Sequence, residues 1–262
     1  MLLSTGSFTT LGFSAVLAFS AFTASAADLA VLSAGAIKPG LKAAAAAFDK
    51  QTGHVTTLVF NTAPQLKQRM QANPAFDVVI APPAVIAEFA ASSKLAETHT
   101  NVGRVGMGIA VRDGAPLPDI SSADALKRAV LEADSLVFNR ASTGLYLESL
   151  LNKMGLWTQV ESKTSRYPDG ASVLEHVIKG AGKGVGTAPT REIGFGAITE
   201  ILLYQGKGLT YVGPVPAEVQ NYTSYTAAPL ASGTQQALAQ QFVAFLSGSV
   251  GKAAFVAAGI TD

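Results

Sequence analysis

Small residues follow the first apolar run of the chain, where an anion could contact the backbone. The run over 29–32 passes into residues 33–36, and Pro39 then opens an alanine-rich segment that ends near Gln51. This order predicts a strand, a tight loop and a helix N-terminus, whose unpaired N–H groups and dipole favour an anion. A tight turn whose small residues serve packing alone is the alternative. The candidate ligand-binding residues of this loop are Ala34, Gly35 and Ala36.

A second candidate set combines a charge with two hydroxyls. Arg140, Ser142 and Thr143 lie between a predicted strand over 136–138 and a predicted helix over 144–154. A guanidinium can bind a carboxylate through two parallel hydrogen bonds, and the hydroxyls could donate to a ligand. The alternatives are a solvated loop arginine and hydroxyls that only cap the helix.

Residue types that support catalysis or metal binding are missing or scattered. The chain has no cysteine, which excludes disulfides, thiolate metal sites and a cysteine nucleophile. His54, His99 and His176 show no metal-ligand spacing, and no G-x-S-x-G motif is present. We therefore expect a binding protein rather than an enzyme, with neither a metal nor a cofactor.

Strands and helices alternate with short loops in the first third of the chain. Predicted strands over 55–60 and 76–80 follow the first one, so the sheet should be parallel. In open α/β sheets, ligands bind outside the carboxyl ends of the strands. Thr62 and Ala63 after the second strand and Ala81 after the third are therefore further candidates for the ligand site.

The same alternation resumes after a long apolar strand over 102–111, which we interpret as a crossover into a second lobe. A strand over 222–228 leads back, and its Tyr225 could donate to a ligand or pack at the hinge. We predict an α/β fold of two lobes with a cleft between them, each lobe a mostly parallel sheet flanked by helices. The first lobe would comprise residues 27–106 and 226–262, and the second residues 107–225.

The first 26 residues have the features of a secretory signal peptide. They carry no charged side chain, they contain a short apolar segment over 11–22, and Ala24-Ser25-Ala26 fits a cleavage site. A membrane anchor is the alternative, although the apolar segment is short for a span. The net charge is +1 without a basic stripe, so nucleic acid is not an expected partner. Export to a bacterial periplasm is the expected location.

Four segments together resemble one protein family. They are an apolar strand with an alanine/serine loop, a strand of the form D-[LV]-[FV]-I-[SA], a strand of the form [DE]-[IL]-G-[FI], and a closing helix with the motif F-L-x-[SG]. In this chain they occupy residues 31–37, 76–81, 192–195 and 245–260. The order and spacing resemble the molybdate-binding branch of the periplasmic solute-binding proteins of ABC importers, which have the type 2 fold.

The resemblance implies where the ligand would bind, but the set of hydroxyl donors is incomplete. Family serines that hold the oxyanion align with Ala36 and with Thr62 or Ala63, and only the threonine keeps a hydroxyl. The loop over 142–146 and Tyr225 match further family positions. We hypothesise that Arg140, with the amides near Ala36, Ala81 and Thr143, carries the anion charge.

The resemblance also implies a function. The chain would capture a small anion, such as a molybdate-like oxyanion, in the cleft and deliver it as a monomer to the membrane permease of an ABC transporter. An organic carboxylate held by the same fold is the first alternative. A secreted hydrolase on this scaffold and an interaction protein without a ligand are the others.

Overall fold

The structure is a computed structural model that describes residues 27–72, 75–96, 98–180 and 191–261. The predicted signal peptide lies outside these ranges. The strands are β1 (Asp28–Ala34), β2 (Val55–Asn61), β3 (Val78–Ala81), β4 (Thr100–Arg112), β5 (Ser135–Asn139), β6 (Thr164–Tyr167), β7 (Glu192–Ala197), β8 (Leu209–Pro214) and β9 (Tyr222–Pro229). The helices are α1 (Lys38–Thr52), α2 (Ala63–Gln71), α3 (Pro83–Ala91), α4 (Ala123–Glu132), α5 (Ser142–Lys153), α6 (Trp157–Val160), α7 (Gly170–Lys179), α8 (Ile198–Tyr204), α9 (Gln236–Ser247) and α10 (Ser249–Ala257).

Two parallel three-stranded groups form the ends of one long sheet. Strand β1 pairs in parallel with β2 and β3, and β5 pairs in parallel with β6 and β7. Between them, β9 and β4 run antiparallel to their neighbours, so the strand order is β2-β1-β3-β9-β4-β7-β5-β6, with β8 also on β4. The antiparallel strands lie at the two places where the sequence predicts crossings between the lobes.

The first parallel group has one apolar core, and the second group has two separate apolar clusters, of which the larger is called the second core below. The first core includes an edge-to-face contact between Phe48 and Phe242, whose ring centroids lie 5.0 Å apart. The second core contains Phe138 packed edge-on against Trp157, at 6.5 Å. Along β4, Val105 packs into the first core and Met107 into the second. We propose lobe boundaries at 106/107 and 225/226, which follow this change of core along the strand.

Close packing against α10 and the residues that follow it constrains the position of the N-terminus of α1. A Cβ atom on Gly40 would lie 2.6 Å from Phe255 Cδ1 and 2.8 Å from Ile260 Cδ1. Such distances are shorter than van der Waals contact, so a side chain at this position would push the N-terminus of α1 away from its site. Glycine at position 40 therefore allows α1, and the loop before it, to lie close to α10.

Three elements of the second lobe are absent from the prediction: β6, α6 and α8. The apolar run over 192–198 predicts a single strand, whereas the structure ends β7 at Ala197 and begins α8 at Ile198. A short apolar run does not by itself distinguish a strand from a buried helix. In the described ranges, no helix combines the length and apolar character needed to cross a membrane.

Candidate ligand-binding cleft

A cleft of about 240 Å³ opens between the two cores, at the carboxyl ends of the parallel strands. Most of the predicted site residues line this cleft. They are Ala34, Gly35, Ala36, Thr62, Ala63, Ser142, Thr143 and Tyr225. The strand ends of both lobes therefore meet at one place, although the residues come from distant parts of the chain.

Two predicted residues do not line the cleft. Ala81 is fully buried in the first core. Arg140 is exposed, and its backbone N–H donates to the carbonyl oxygen of Tyr167 at 2.8 Å. The assignment of the anion charge to Arg140 stays a prediction, and Lys38 is a cation that does line the cleft.

Helix α2 begins at the wall formed by the first lobe. Thr62 is its N-cap residue and forms a capping box with Gln65, whose Oε1 accepts the Thr62 backbone N–H at 2.8 Å. Pro64 follows in the first turn and has no N–H. The backbone N–H of Ala63 is therefore the first-turn donor of this helix that remains for a ligand.

Helix α5 begins at the opposite wall, and Asn139 caps it. Asn139 Oδ1 accepts the backbone N–H groups of Ala141 and Gly144 at 3.0 and 3.1 Å. The side chains of Ser142 and Thr143 make no hydrogen bond among the described residues, so capping does not use their hydroxyls. Both hydroxyls and both backbone N–H groups are consequently available to a ligand.

Helix α7 adds a second N-terminus to this wall. Asp169 is its N-cap, and Asp169 Oδ1 accepts the backbone N–H of Ser172 at 2.8 Å. Gly170 and Ala171, the first residues of the helix, line the cleft beside it. The second lobe therefore presents two helix N-termini to the same space.

Among the described residues, the charged groups of the cleft are one amine and two carboxylates. Lys38 Nζ lies 5.5 Å from the ring centroid of Phe60, and Lys38 makes no ion pair among the described residues. Asp169 and Glu200 are the carboxylates. Burial and, secondarily, the charge of the nearby Asp169 raise the pKa of Glu200 to about 7, against the opposing influence of Lys38. Glu200 is therefore poised to exchange a proton near neutral pH.

Tyr225 combines the two roles that the sequence leaves open. It is 4% exposed and packs into the first core, yet it lines the cleft from the crossing strand β9. Burial, and secondarily Glu200, raise the pKa of its hydroxyl well above the usual range. The hydroxyl therefore keeps its proton and can act as a donor.

Glu200 lies between the ligand loops of the two lobes. Its Oε1 is 3.2 Å from the position that a Cβ atom on Gly35 would occupy, and its Oε2 is 2.1 Å from that of a Cβ atom on Gly170. The neighbouring Thr199 hydroxyl donates to the carbonyl oxygen of Ala36. The first turn of α8 thus contacts both the α1 loop and the start of α7.

Sequence reasoning did not assign Lys38, Asn139, Asp169 or Glu200 to the site. Asp169 carries a signal, because aspartate before a small-residue run is a common N-cap. Glu200 follows the predicted strand over 192–198, and the rule that ligands bind at strand carboxyl ends points to such positions. Lys38 adjoins the first loop, but its orientation depends on how α1 packs.

Comparison with known proteins identifies a family for this chain. The sequence model of the family "Bacterial extracellular solute-binding protein" matches residues 29–261. An aconitate isomerase from Pseudomonas sp is 28% identical over 226 residues, which is 84% of this chain and 82% of that protein.

Two solved structures share the fold. The periplasmic molybdate-binding protein of Azotobacter vinelandii superposes with a TM-score of 0.72 at 18% identity, over 89% of this chain and 99% of that one. PEB3 with bound L-phospholactate superposes with a TM-score of 0.68 at 14% identity, over 90% of this chain and 100% of the other. The two-lobed α/β prediction is confirmed, and the chain belongs to the bacterial extracellular solute-binding proteins with the type 2 periplasmic binding protein fold.

Proposed function

We propose that this protein is the periplasmic capture component of an ABC importer and that its ligand is a small organic anion with two or more carboxylates. The observation that carries the proposal is the presence of anion-binding groups on both walls of the cleft. Lys38 and the start of α2 lie on one wall, and the starts of α5 and α7 lie on the other. A ligand with separated negative groups would contact both walls at once.

The size of the cleft supports an organic anion over a molybdate-like oxyanion. Its volume of about 240 Å³ is many times the roughly 10–15 Å³ that one water molecule needs on the same measure. An oxyanion built around one central atom would leave much of this space to solvent. The alanine at position 36 also removes a hydroxyl whose bond to a charged ligand would contribute roughly 1.5–3 kcal/mol. Molybdate and related oxyanions are the competing ligand class.

The hinge supports the transport role. The lobes are joined through the antiparallel strands β4 and β9, and bending there would close the walls around a ligand. A permease that contacts both lobes would then distinguish the closed protein from the open one. Partner, location and monomeric state are proposed on the basis of the family and of the predicted signal peptide.

A ligand panel tests the proposal. Thermal shift followed by calorimetric titration would compare molybdate, sulfate and phosphate with mono-, di- and tricarboxylates. We expect micromolar or tighter binding of a di- or tricarboxylate and at least tenfold weaker binding of the inorganic ions. Preferential binding of molybdate would reverse the assignment.

A second candidate function is isomerisation of a small unsaturated polycarboxylate. The relative that is 28% identical over most of this chain is an aconitate isomerase, and Glu200 supplies a titratable group in the cleft. This candidate departs from the sequence-based expectation of no enzyme. Proton NMR of trans-aconitate with catalytic amounts of protein tests it: growth of the cis isomer above the protein-free rate supports isomerase activity, and an unchanged spectrum argues against it.

A further inference from the structure

We infer that Glu200 is the catalytic acid–base residue of this cleft, moving a proton between two carbon atoms of a bound unsaturated polycarboxylate. The inference rests on the isomerase candidate proposed above, and it names the group that would perform the chemistry.

The position of Glu200 is central to the cleft. Its carboxylate lies next to Gly35 of the first lobe and Gly170 of the second, and the absence of a Cβ atom at both positions leaves it room. Any side chain at 170 would overlap Oε2, because its Cβ atom would lie 2.1 Å from that oxygen. A ligand held by both walls would therefore lie against this carboxylate.

The carboxylate of Glu200 is also uncommitted. Across the described residues it makes no hydrogen bond and no ion pair, although Lys38 and Asp169 are close enough to influence its charge. Asp169, the other carboxylate of the cleft, already accepts a hydrogen bond from the start of α7. An acid–base group needs a free oxygen and access to the substrate, and Glu200 meets both conditions.

The groups that face Glu200 favour proton exchange near neutral pH. Burial and Asp169 raise its pKa to about 7, against the influence of Lys38. Tyr204 and Tyr225 also face it, and the pKa of each hydroxyl is raised, so both stay neutral. Both forms of Glu200 are therefore populated at the pH where a general base and its conjugate acid are most effective.

The proposed step balances without any other reactant. The Glu200 carboxylate removes a proton from the saturated carbon that lies between a carboxylate and the double bond. As that C–H bond breaks, its electron pair forms a new double bond and the former one becomes part of a delocalised dienolate. The Glu200 O–H then protonates the carbon at the far end, so the double bond has moved and Glu200 is again a carboxylate. Lys38 and the helix N-termini would stabilise the charge that builds on the ligand carboxylates.

The experiment follows trans-aconitate in D₂O by proton NMR, with binding measured separately by calorimetry. Glu200→Gln keeps the size of the side chain and removes its acid–base function. Glu175→Gln is the matched control, because Glu175 is an exposed carboxylate of α7 that pairs with Lys179. We expect Glu200→Gln to lower deuterium uptake and isomerisation at least 100-fold while its Kd stays within about tenfold, and we expect the control to match the parent.

Two other results would distinguish a failure of the inference about Glu200 from a failure of the isomerase function. If the parent isomerises trans-aconitate and Glu200→Gln does so within threefold of it, the role of Glu200 is refuted and the isomerase function stands. If the parent binds trans-aconitate without exchange or isomerisation, the isomerase function is refuted together with the inference, and binding stands. The parent's pH–rate profile is an independent readout, because a kcat/KM without an ionisation between pH 6 and 8 would refute the role even if Glu200→Gln folds poorly.

Discussion

Strand β7 has a glutamate near each end, and the two have different surroundings. Glu192 begins the strand, is 4% exposed, and accepts through Oε2 from the Ser135 hydroxyl at 2.5 Å, with His176 Nε2 at 3.2 Å. Tyr167 extends this cluster through a 2.5 Å contact between its hydroxyl and His176 Nδ1. Glu200 lies just beyond the carboxyl end of the same strand and makes no such contact among the described residues.

The surroundings of a carboxylate depend on which end of the strand it lies at. At the amino end of β7, neighbouring elements pack closely and supply two partners for Oε2 of the buried Glu192 carboxylate, while its Oε1 has none among the described residues. At the carboxyl end, the strands of both lobes open into the cleft, where a carboxylate has room but no partner. Ligand sites lie at the carboxyl ends of parallel strands for this reason.

Glu192→Ala should destabilise the protein by about 2–4 kcal/mol, because it leaves the hydroxyl of Ser135 and the ring of His176 without their buried partner and opens a cavity. Urea unfolding followed by circular dichroism measures this change. Ligand affinity of the folded variant should stay within threefold of the parent. A loss of affinity without a loss of stability would reverse the roles assigned to the two glutamates.

Glu200→Gln should change how stability depends on pH. The folded state raises the pKa of Glu200 from 4.5 to about 7, so folding favours its protonated form. That contribution is fully present below the unfolded pKa and is lost as the pH rises through about 7. At about 1.4 kcal/mol per pKa unit, it amounts to at most about 3.5 kcal/mol between pH 4 and 8.

The test of this pH effect is the difference between variant and parent. Urea unfolding at pH 5 and pH 8 should show the parent losing more stability than Glu200→Gln on going to the higher pH. Since both proteins keep Glu192 and His176, the difference isolates Glu200. If the parent and Glu200→Gln lose the same stability between pH 5 and pH 8, folding does not raise the pKa of Glu200.

Lys38→Met should weaken anion binding by about 1.5 kcal/mol, which is roughly tenfold, because Lys38 is a cation on the cleft wall. Arg140→Ala provides the comparison, since the sequence assigns the same role to Arg140. We expect less than a threefold change for Arg140→Ala, because that side chain is exposed and outside the cleft. Calorimetric titration with the best ligand of the panel measures both, and the opposite order would restore the sequence-based assignment.

Gly170→Ala should have the smallest effect on stability, below about 1 kcal/mol. The new Cβ would overlap Glu200 Oε2, which is the end of a flexible side chain that can rotate away. The variant should therefore melt close to the parent yet lose most of the stability change between pH 5 and 8. A large drop in melting temperature would mean that Glu200 is held rigidly and is part of the scaffold.

Local signals in the sequence are sufficient for the fold and for the walls of the cleft. Hydrophobic periodicity and helix start signals predict most strands and helices, because both depend on residues a few positions apart. Strand ends can be located from these local signals, and the small and hydroxyl-bearing residues found there line the cleft. Examples are Gly35, Thr62 and Ser142. Element α8 is missed because a short apolar run directly continues β7.

Only the tertiary structure decides which charged side chains enter the cleft. Arg140 and Lys38 each lie just past a strand end, yet Arg140 is outside the cleft and Lys38 lines it. Glu192 and Glu200 are both glutamates of one strand–helix unit, yet among the described residues Oε2 of the first has two partners and the carboxylate of the second has none. The sequence determines the residue types and their place on an element. The direction of a side chain, and the atoms around it, depend on how elements distant in sequence pack together, because burial and neighbouring charges arise only from that packing.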